Sequence, residues 1–146
     1  MHDCRLNWVL SIATHVRRMI DRGEGVHQKR LPIVLIVESD VLLRLVTASN
    51  LRELGFEVFE AADAAEAVTV LNTIAVDAVL SDTGIPGRMD GFALARWVRE
   101  RRLDTRIILS STARQSLGEA AEYATLLAKP YAVAEVQKLL KRMLLH

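Results

Sequence analysis

The chain has 146 residues, 51% of them hydrophobic and 25% charged, and its 19 basic and 18 acidic residues leave a net charge of +1. This length and balance are typical of a globular protein with a sizeable core, and they give no support for nonspecific nucleic-acid binding. The single cysteine, Cys4, excludes an internal disulfide, and no apolar stretch is long enough for a membrane span, so we expect no membrane partner and a cytoplasmic location.

Residues 1–30 are predicted to form an N-terminal arm distinct from the rest of the chain. Apolar residues recur at helical spacing from Leu6 to Ile20, which favours a helix, and the polar residues 21–30 favour a linker. Three accounts of the arm remain open: a loosely docked helix, a partner-binding helix, or sequence added by an upstream start site. We interpret His15, within this arm, as a surface histidine.

Residues 31–146 alternate short apolar runs with amphipathic stretches, which indicates an α/β domain built on a parallel sheet. The runs predicted as strands are residues 33–37, 57–60, 77–81, 106–110 and 126–128. Helices are predicted to begin after the capping residues Asp40, Asp63 and Asp90, with a short helix at 115–122 and an amphipathic last helix from Val133. In the first helix the residues at inward spacing are Leu42, Leu43, Val46, Leu51 and Leu54.

Polar side chains follow four of the five predicted strands. Glu38 follows the first strand, Asp82 the third and Ser111 the fourth, while Lys129 stands after the fifth and directly before Pro130. The carboxyl ends of parallel strands meet at one edge of a sheet, where open α/β proteins place their ligands. Two acids, a hydroxyl and a lysine at one edge suggest a cation-assisted phosphoryl site.

In this order and at these intervals, the residues resemble those of a response-regulator receiver domain, the phospho-acceptor module of two-component signalling. The stretch Pro86-Gly87, with Met89-Asp90-Gly91, belongs to the same pattern, and the resemblance covers roughly four-fifths of the chain. It implies a doubly wound, flavodoxin-like, five-stranded parallel sheet in the order 2-1-3-4-5, with the site at the switch between strands one and three. We therefore expect a receiver of the single-domain type over residues 31–146, and no enzyme.

The resemblance also assigns roles to the residues at the predicted edge. Asp82 would accept a phosphoryl group from a histidine kinase or phosphotransfer protein, and the domain would then signal to an unknown output protein. Mg²⁺ would be held by Glu38, Asp82 and the backbone carbonyl of Gly84. Lys129 would bind Asp82 and then the phosphoryl oxygens, and Ser111 would donate its hydroxyl to them. The peptide bond from Lys129 to its proline is predicted to be cis.

Three departures from the family pattern bear on this assignment. Receivers carry two adjacent acids after the first strand, whereas this chain has Glu38-Ser39, and a hydroxyl is a weaker metal ligand than a carboxylate. Leu126 stands where the family has an aromatic switch residue, and the segment between Ser111 and Lys129 is shortened. The alternative function is therefore an atypical receiver that acts as a phosphorylation-independent binding module, because Ser39 replaces a metal-binding acid.

Two further protein classes share a similar sheet, a phosphatase and a flavin-binding electron carrier. A phosphatase with an aspartyl-phosphate intermediate needs an acid two residues after the nucleophile, where this chain has Gly84, and a flavin carrier needs a hydroxyl-rich loop after the first strand. Both are disfavoured. Lys138, Lys141 and Arg142 give the last helix a basic side, which is a candidate for partner contact or homodimer formation, although solvated charges would look the same.

Overall fold

A computed structural model of the chain describes residues 11–15, 18, 30–112 and 117–145. Its elements are β1 Ile33–Val37, α1 Val41–Glu53, β2 Glu57–Ala61, α2 Ala64–Thr73, β3 Ala78–Asp82, α3 Gly91–Arg101, β4 Arg106–Ser111, a 3₁₀ helix Gly118–Glu122, β5 Ala124–Ala128 and α4 Val133–Leu144. The strands form a parallel sheet in the order β2-β1-β3-β4-β5. The predicted fold class and strand order are confirmed.

The sheet has a hydrophobic core on each face. All five residues of β1 are buried, and alternate residues point to opposite faces, so that Leu35 packs in one core and Ile36 in the other. Helices α2 and α3 cover the first core, and α1 and α4 cover the second. A strand buried on both sides reads as a continuous apolar run, which is why β1 could be predicted to the residue.

Aspartates cap three of the helices as predicted. The side chains of Asp40, Asp63 and Asp90 accept the backbone N–H three residues further on, at 3.1, 2.9 and 2.8 Å. Each of these bonds satisfies a donor that the first turn of a helix leaves without an intrahelical partner. The carboxylate of Asp40 is therefore engaged at the start of α1.

The predicted inward face of α1 is wrong in part. Leu42, Val46 and Leu54 are exposed, with 72% of Leu42 accessible, whereas Leu51 is buried as expected. The buried residues of the helix are Thr47, Ala48 and Leu51, of which only Leu51 was predicted to face inward. Apolar side chains from α4 fill the rest of that core, so the larger residues of α1 are left on its outer side.

The described part of the N-terminal arm lies against the sheet. Residues 11–15 and 18 are helical, and Ile12 is 4% exposed within the first core. His15 contacts the carboxylate of Glu57 through Nδ1, and its ring meets that of Phe59 edge-on at 5.3 Å. His15 is thus largely covered by β2, and its interpretation as a surface residue is wrong. The remainder of the predicted helix at 6–20, the linker at 21–29 and the segment 113–116 lie outside the described residues.

Among the described residues, no helix is both long enough and apolar enough to cross a membrane.

Candidate functional site

The four residue types predicted to share a sheet edge do share it. Glu38 follows β1, Asp82 and Ser111 end β3 and β4, and Lys129 follows β5. The backbone N–H of Lys129 donates to the carbonyl of Ser111 at 2.8 Å, which ties the ends of β4 and β5 together. Ser110 is the residue in register with Asp82, and Ser111 lies one position further along β4. Both serines are buried, and because successive side chains of a strand point to opposite faces of the sheet, the two lie on opposite sides of it.

Lys129 joins the two acids of this edge. Its ammonium contacts Oε1 of Glu38 and lies 3.2 Å from Oδ1 of Asp82. The side chains of Lys129 and Glu38 are only 12% and 6% exposed, so these charges interact with little screening by water. Burial alone would lower the pKa of Lys129, but its hydrogen bonds to Glu38 and Asp82 and their charges outweigh burial and raise that pKa above its ordinary value. Lys129 is therefore a permanent cation at neutral pH.

The loop after β1 supplies one buried acid. The Oε2 atom of Glu38 accepts the backbone N–H of Asp40 at 3.1 Å, which leaves both of its carboxylate oxygens partnered. Ser39 and Asp40 are exposed, and the Asp40 carboxylate accepts the N–H of Leu43. Asp40 is thus engaged as a helix cap through one of its carboxylate oxygens.

Asp82 lies at the end of β3 against the backbone of two glycines. Its Oδ2 atom accepts the N–H of Gly84 at 3.2 Å. The N–H of Gly91 donates to the carbonyl of Thr83 at 2.9 Å, and a Cβ built on Gly91 would stand 2.2 Å from the carbonyl oxygen of Asp82. The sequence pattern places Gly91 at the start of α3, and the structure shows that its missing side chain is what lets that helix approach Asp82.

The turn after β5 also contacts α1. The Lys129-Pro130 peptide bond is cis, as predicted, and Tyr131 follows it. The hydroxyl of Tyr131 lies 3.4 Å from that of Thr47 on α1, and burial raises the pKa of this phenol. The half-buried Leu126 stands on β5 at the position of the expected aromatic switch. An aromatic ring is supplied near this site by Tyr131.

The oxygen donors at this edge are of the chemical type that magnesium prefers. Mg²⁺ binds proteins through one or two carboxylates and keeps several waters, and Glu38 and Asp82 supply two carboxylates held by one lysine. Within the part of the chain that the structure describes, no group of three or more histidine, cysteine or acidic residues converges on one point. The donor set fits, but the ammonium of Lys129 offsets one of its two negative charges.

Comparisons with known proteins agree on one family. The sequence model of the response regulator receiver domain family matches residues 34–141 of this chain. Transcriptional regulatory protein PdtaR of Mycobacterium tuberculosis is 33% identical over 107 residues, which make up 70% of this chain. The same match spans 52% of PdtaR, so this chain covers about half the length of that relative.

Solved structures with the same fold include the chemotaxis response regulator CheY4 of Vibrio cholerae. It superposes with a TM-score of 0.71 at 28% identity, over 78% of this chain and 99% of CheY4. The receiver domain of the sensor histidine kinase PA1611 from Pseudomonas aeruginosa superposes with a TM-score of 0.68 at 30% identity, over 77% of this chain and 97% of that domain. The latter structure has a magnesium ion coordinated in its active-site cleft.

Proposed function

This chain belongs to the response regulator receiver domain family of two-component systems, and we propose that it accepts a phosphoryl group on Asp82 from a histidine kinase or a phosphotransfer protein. Receiver domains are signalling modules rather than typical enzymes. The observation that supports Asp82 best is the ammonium of Lys129, which lies between its carboxylate and that of Glu38 at the carboxyl edge of the sheet.

The proposed transfer forms one bond and breaks another. A carboxylate oxygen of Asp82 attacks the phosphorus of a phosphohistidine, the phosphorus–nitrogen bond breaks with its electron pair left on the imidazole, and an acyl phosphate remains on Asp82. Lys129 holds the carboxylate before transfer and the phosphoryl oxygens after it. Ser111 then donates its hydroxyl to one of those oxygens. A magnesium ion held by Glu38, Asp82 and the carbonyl of Gly84 would neutralise charge on the transferring group.

The second candidate function is a binding module that works without phosphorylation. It is favoured by the loop after β1, which turns one acid inward while Ser39 is exposed and Asp40 caps α1. With one acid fewer, the site attracts a divalent cation less strongly, and phosphorylation that needs the cation slows. Magnesium affinity therefore separates the two candidates.

We predict that Ser39→Asp tightens magnesium binding by about fivefold or more, because a close opposite charge is worth ~1 kcal/mol or more even when solvent screens the site. The dissociation constant for magnesium, without a phosphodonor, can be measured by a titration monitored by NMR. Ser39→Asn is the matched control, since it adds a side chain of nearly the same size without charge. An unchanged constant in Ser39→Asp would mean that water or Asp40 already fills the position.

The output surface is proposed to include the exposed side of α4. Lys138, Lys141 and Arg142 are exposed there, opposite the buried Val136 and Leu140. Signalling through this surface, whether to a partner or to a second copy, would proceed with Leu126 on β5 instead of an aromatic switch.

We expect a charge-reversed Lys138→Glu, Lys141→Glu, Arg142→Glu variant to fold and to accept a phosphoryl group like the native chain, because the three side chains lie on the solvent side of α4. The phosphorylated variant should no longer associate with a second copy of itself in sedimentation, or with a partner protein in a pull-down. Association equal to that of the native chain would mean that the output surface lies elsewhere, with the N-terminal helix as the leading candidate.

A further inference from the structure

Arg44 reaches from α1 back to the loop that carries Glu38. Its Nη1 atom donates to the backbone carbonyl of Glu38 at 2.8 Å, and its Nε lies 3.5 Å from Oε1 of Glu60 on β2. The Arg44 side chain is 16% exposed, so both interactions are largely shielded from water. One planar guanidinium thus holds the end of β1 and the edge strand together.

The contact from Arg44 completes the anchoring of Glu38. The backbone N–H of Glu38 donates to the carbonyl of Ala61 at 2.9 Å, so that with Arg44 on its carbonyl both main-chain polar groups of Glu38 are held. Its carboxylate is held by Lys129 and by the N–H of Asp40. Without Arg44, the carbonyl loses its charged donor and the loop gains freedom to turn the carboxylate away.

Glu60 balances the charge of Arg44. Its carboxylate also accepts a hydrogen bond from Nη2 of Arg52 at 3.2 Å, and the same Nη2 donates to the carbonyl of Val58 at 2.8 Å. Arg44 therefore acts on Glu38 by fixing its backbone, while its positive charge is directed to Glu60 rather than to the site. Arg52 makes matching contacts to the same strand without touching Glu38.

We propose that Arg44 is a positioning residue for the phosphoryl site: it holds Glu38, the one acid of the loop after β1 that is buried, in place. This inference rests on the proposed function, since it assigns Arg44 a role toward that site. Loss of an outer partner that orients a metal ligand lowers metal affinity, and a loop with one inward acid has no second carboxylate to make up for a displaced Glu38.

The test compares Arg44→Met with Arg52→Met in the full chain. Both substitutions keep an unbranched stem and remove a guanidinium that bonds a backbone carbonyl and Glu60. The side chain of Arg52 is 47% exposed and that of Arg44 16%, so we expect the loss of thermal stability to be smaller in Arg52→Met. Magnesium binding, measured with the metal alone, should weaken by about tenfold in Arg44→Met and stay within about twofold of native in Arg52→Met. Arg44→Lys keeps the charge but cannot bind both partners as a fork, so its magnesium affinity should lie between those of the two methionine variants. It replaces Arg44→Met in the test if that variant does not fold.

A second readout needs no metal. The amide proton of Asp40 donates to the Glu38 carboxylate, so its NMR shift should move upfield in Arg44→Met and stay at its native value in Arg52→Met. Equal effects of the two substitutions, or a native Asp40 shift and native magnesium affinity in Arg44→Met, would overturn the positioning role. If the native chain binds no magnesium and is not phosphorylated, the proposed function fails, and the Asp40 amide still decides whether Arg44 positions Glu38.

Discussion

Gly91→Ala should destabilise the fold and displace Asp82 together, with a loss of about 2–3 kcal/mol in the free energy of unfolding. A Cβ at this position would stand 2.2 Å from the carbonyl oxygen of Asp82 and 2.6 Å from the Cα of Thr83. Both are backbone atoms and cannot rotate away, so α3 or the end of β3 has to shift. Helix propensity alone predicts the opposite sign, because alanine is favoured over glycine in a helix by up to about 1 kcal/mol.

Urea denaturation measures this loss as a lower midpoint at an unchanged slope. Gly84→Ala is the matched control, since a Cβ there would meet Oδ2 of Asp82 at 3.5 Å, an ordinary contact. We expect the control to keep native stability within about 0.5 kcal/mol. Native or higher stability of Gly91→Ala would show that the approach of α3 to Asp82 does not depend on glycine.

The fold could be predicted because buried strands appear as apolar runs and aspartates mark the starts of helices. The buried β1 reads as an unbroken apolar run, and the aspartates Asp40, Asp63 and Asp90 mark where three helices begin. The inward face of α1 could not be predicted, because a periodicity argument assigns the most hydrophobic residues to the buried side, and here two less hydrophobic residues are buried instead. The helix buries Thr47, Ala48 and Leu51, and the core beside it is filled by residues of α4, which lies far along the chain.

The site residues could be grouped from sequence because parallel strands deliver their ends to one edge. Glu38, Asp82 and Lys129 meet there, and their roles in phosphoryl transfer remain proposals. Gly91 belongs to the pattern that carries the resemblance, but the supporting contacts of Gly91 and Arg44 had no signal that a single sequence could display. A glycine at a helix start and an arginine on a helix are both common, and their importance comes from contacts with the backbone of Asp82 and Glu38.

Asp82→Asn should abolish phosphorylation completely. An amide nitrogen or oxygen is a poor nucleophile toward phosphorus, whereas the carboxylate of Asp82 is negatively charged and lies 3.2 Å from the ammonium of Lys129. The substitution keeps the size of the side chain, and Lys129 retains its contact with Glu38, so the fold should be preserved. Loss of modification would then reflect chemistry at this atom and not unfolding.

Asp90→Asn provides the matched control for this substitution. Asp90 lies eight positions further along the same loop and caps α3 with its side chain, and asparagine is an equally good cap. This variant should therefore fold and be phosphorylated like the native chain. A loss of phosphorylation here as well would point to a disturbed loop instead of a missing acceptor.

The central claim is tested most directly by the intact mass of the native chain and of Asp82→Asn after incubation with acetyl phosphate and magnesium. The native chain should gain the mass of one phosphoryl group, and Asp82→Asn should gain none. A phosphoryl group on Asp82→Asn would contradict the assignment of the acceptor. A native chain that stays unmodified at saturating magnesium would contradict phosphoryl acceptance itself and favour the phosphorylation-independent binding module.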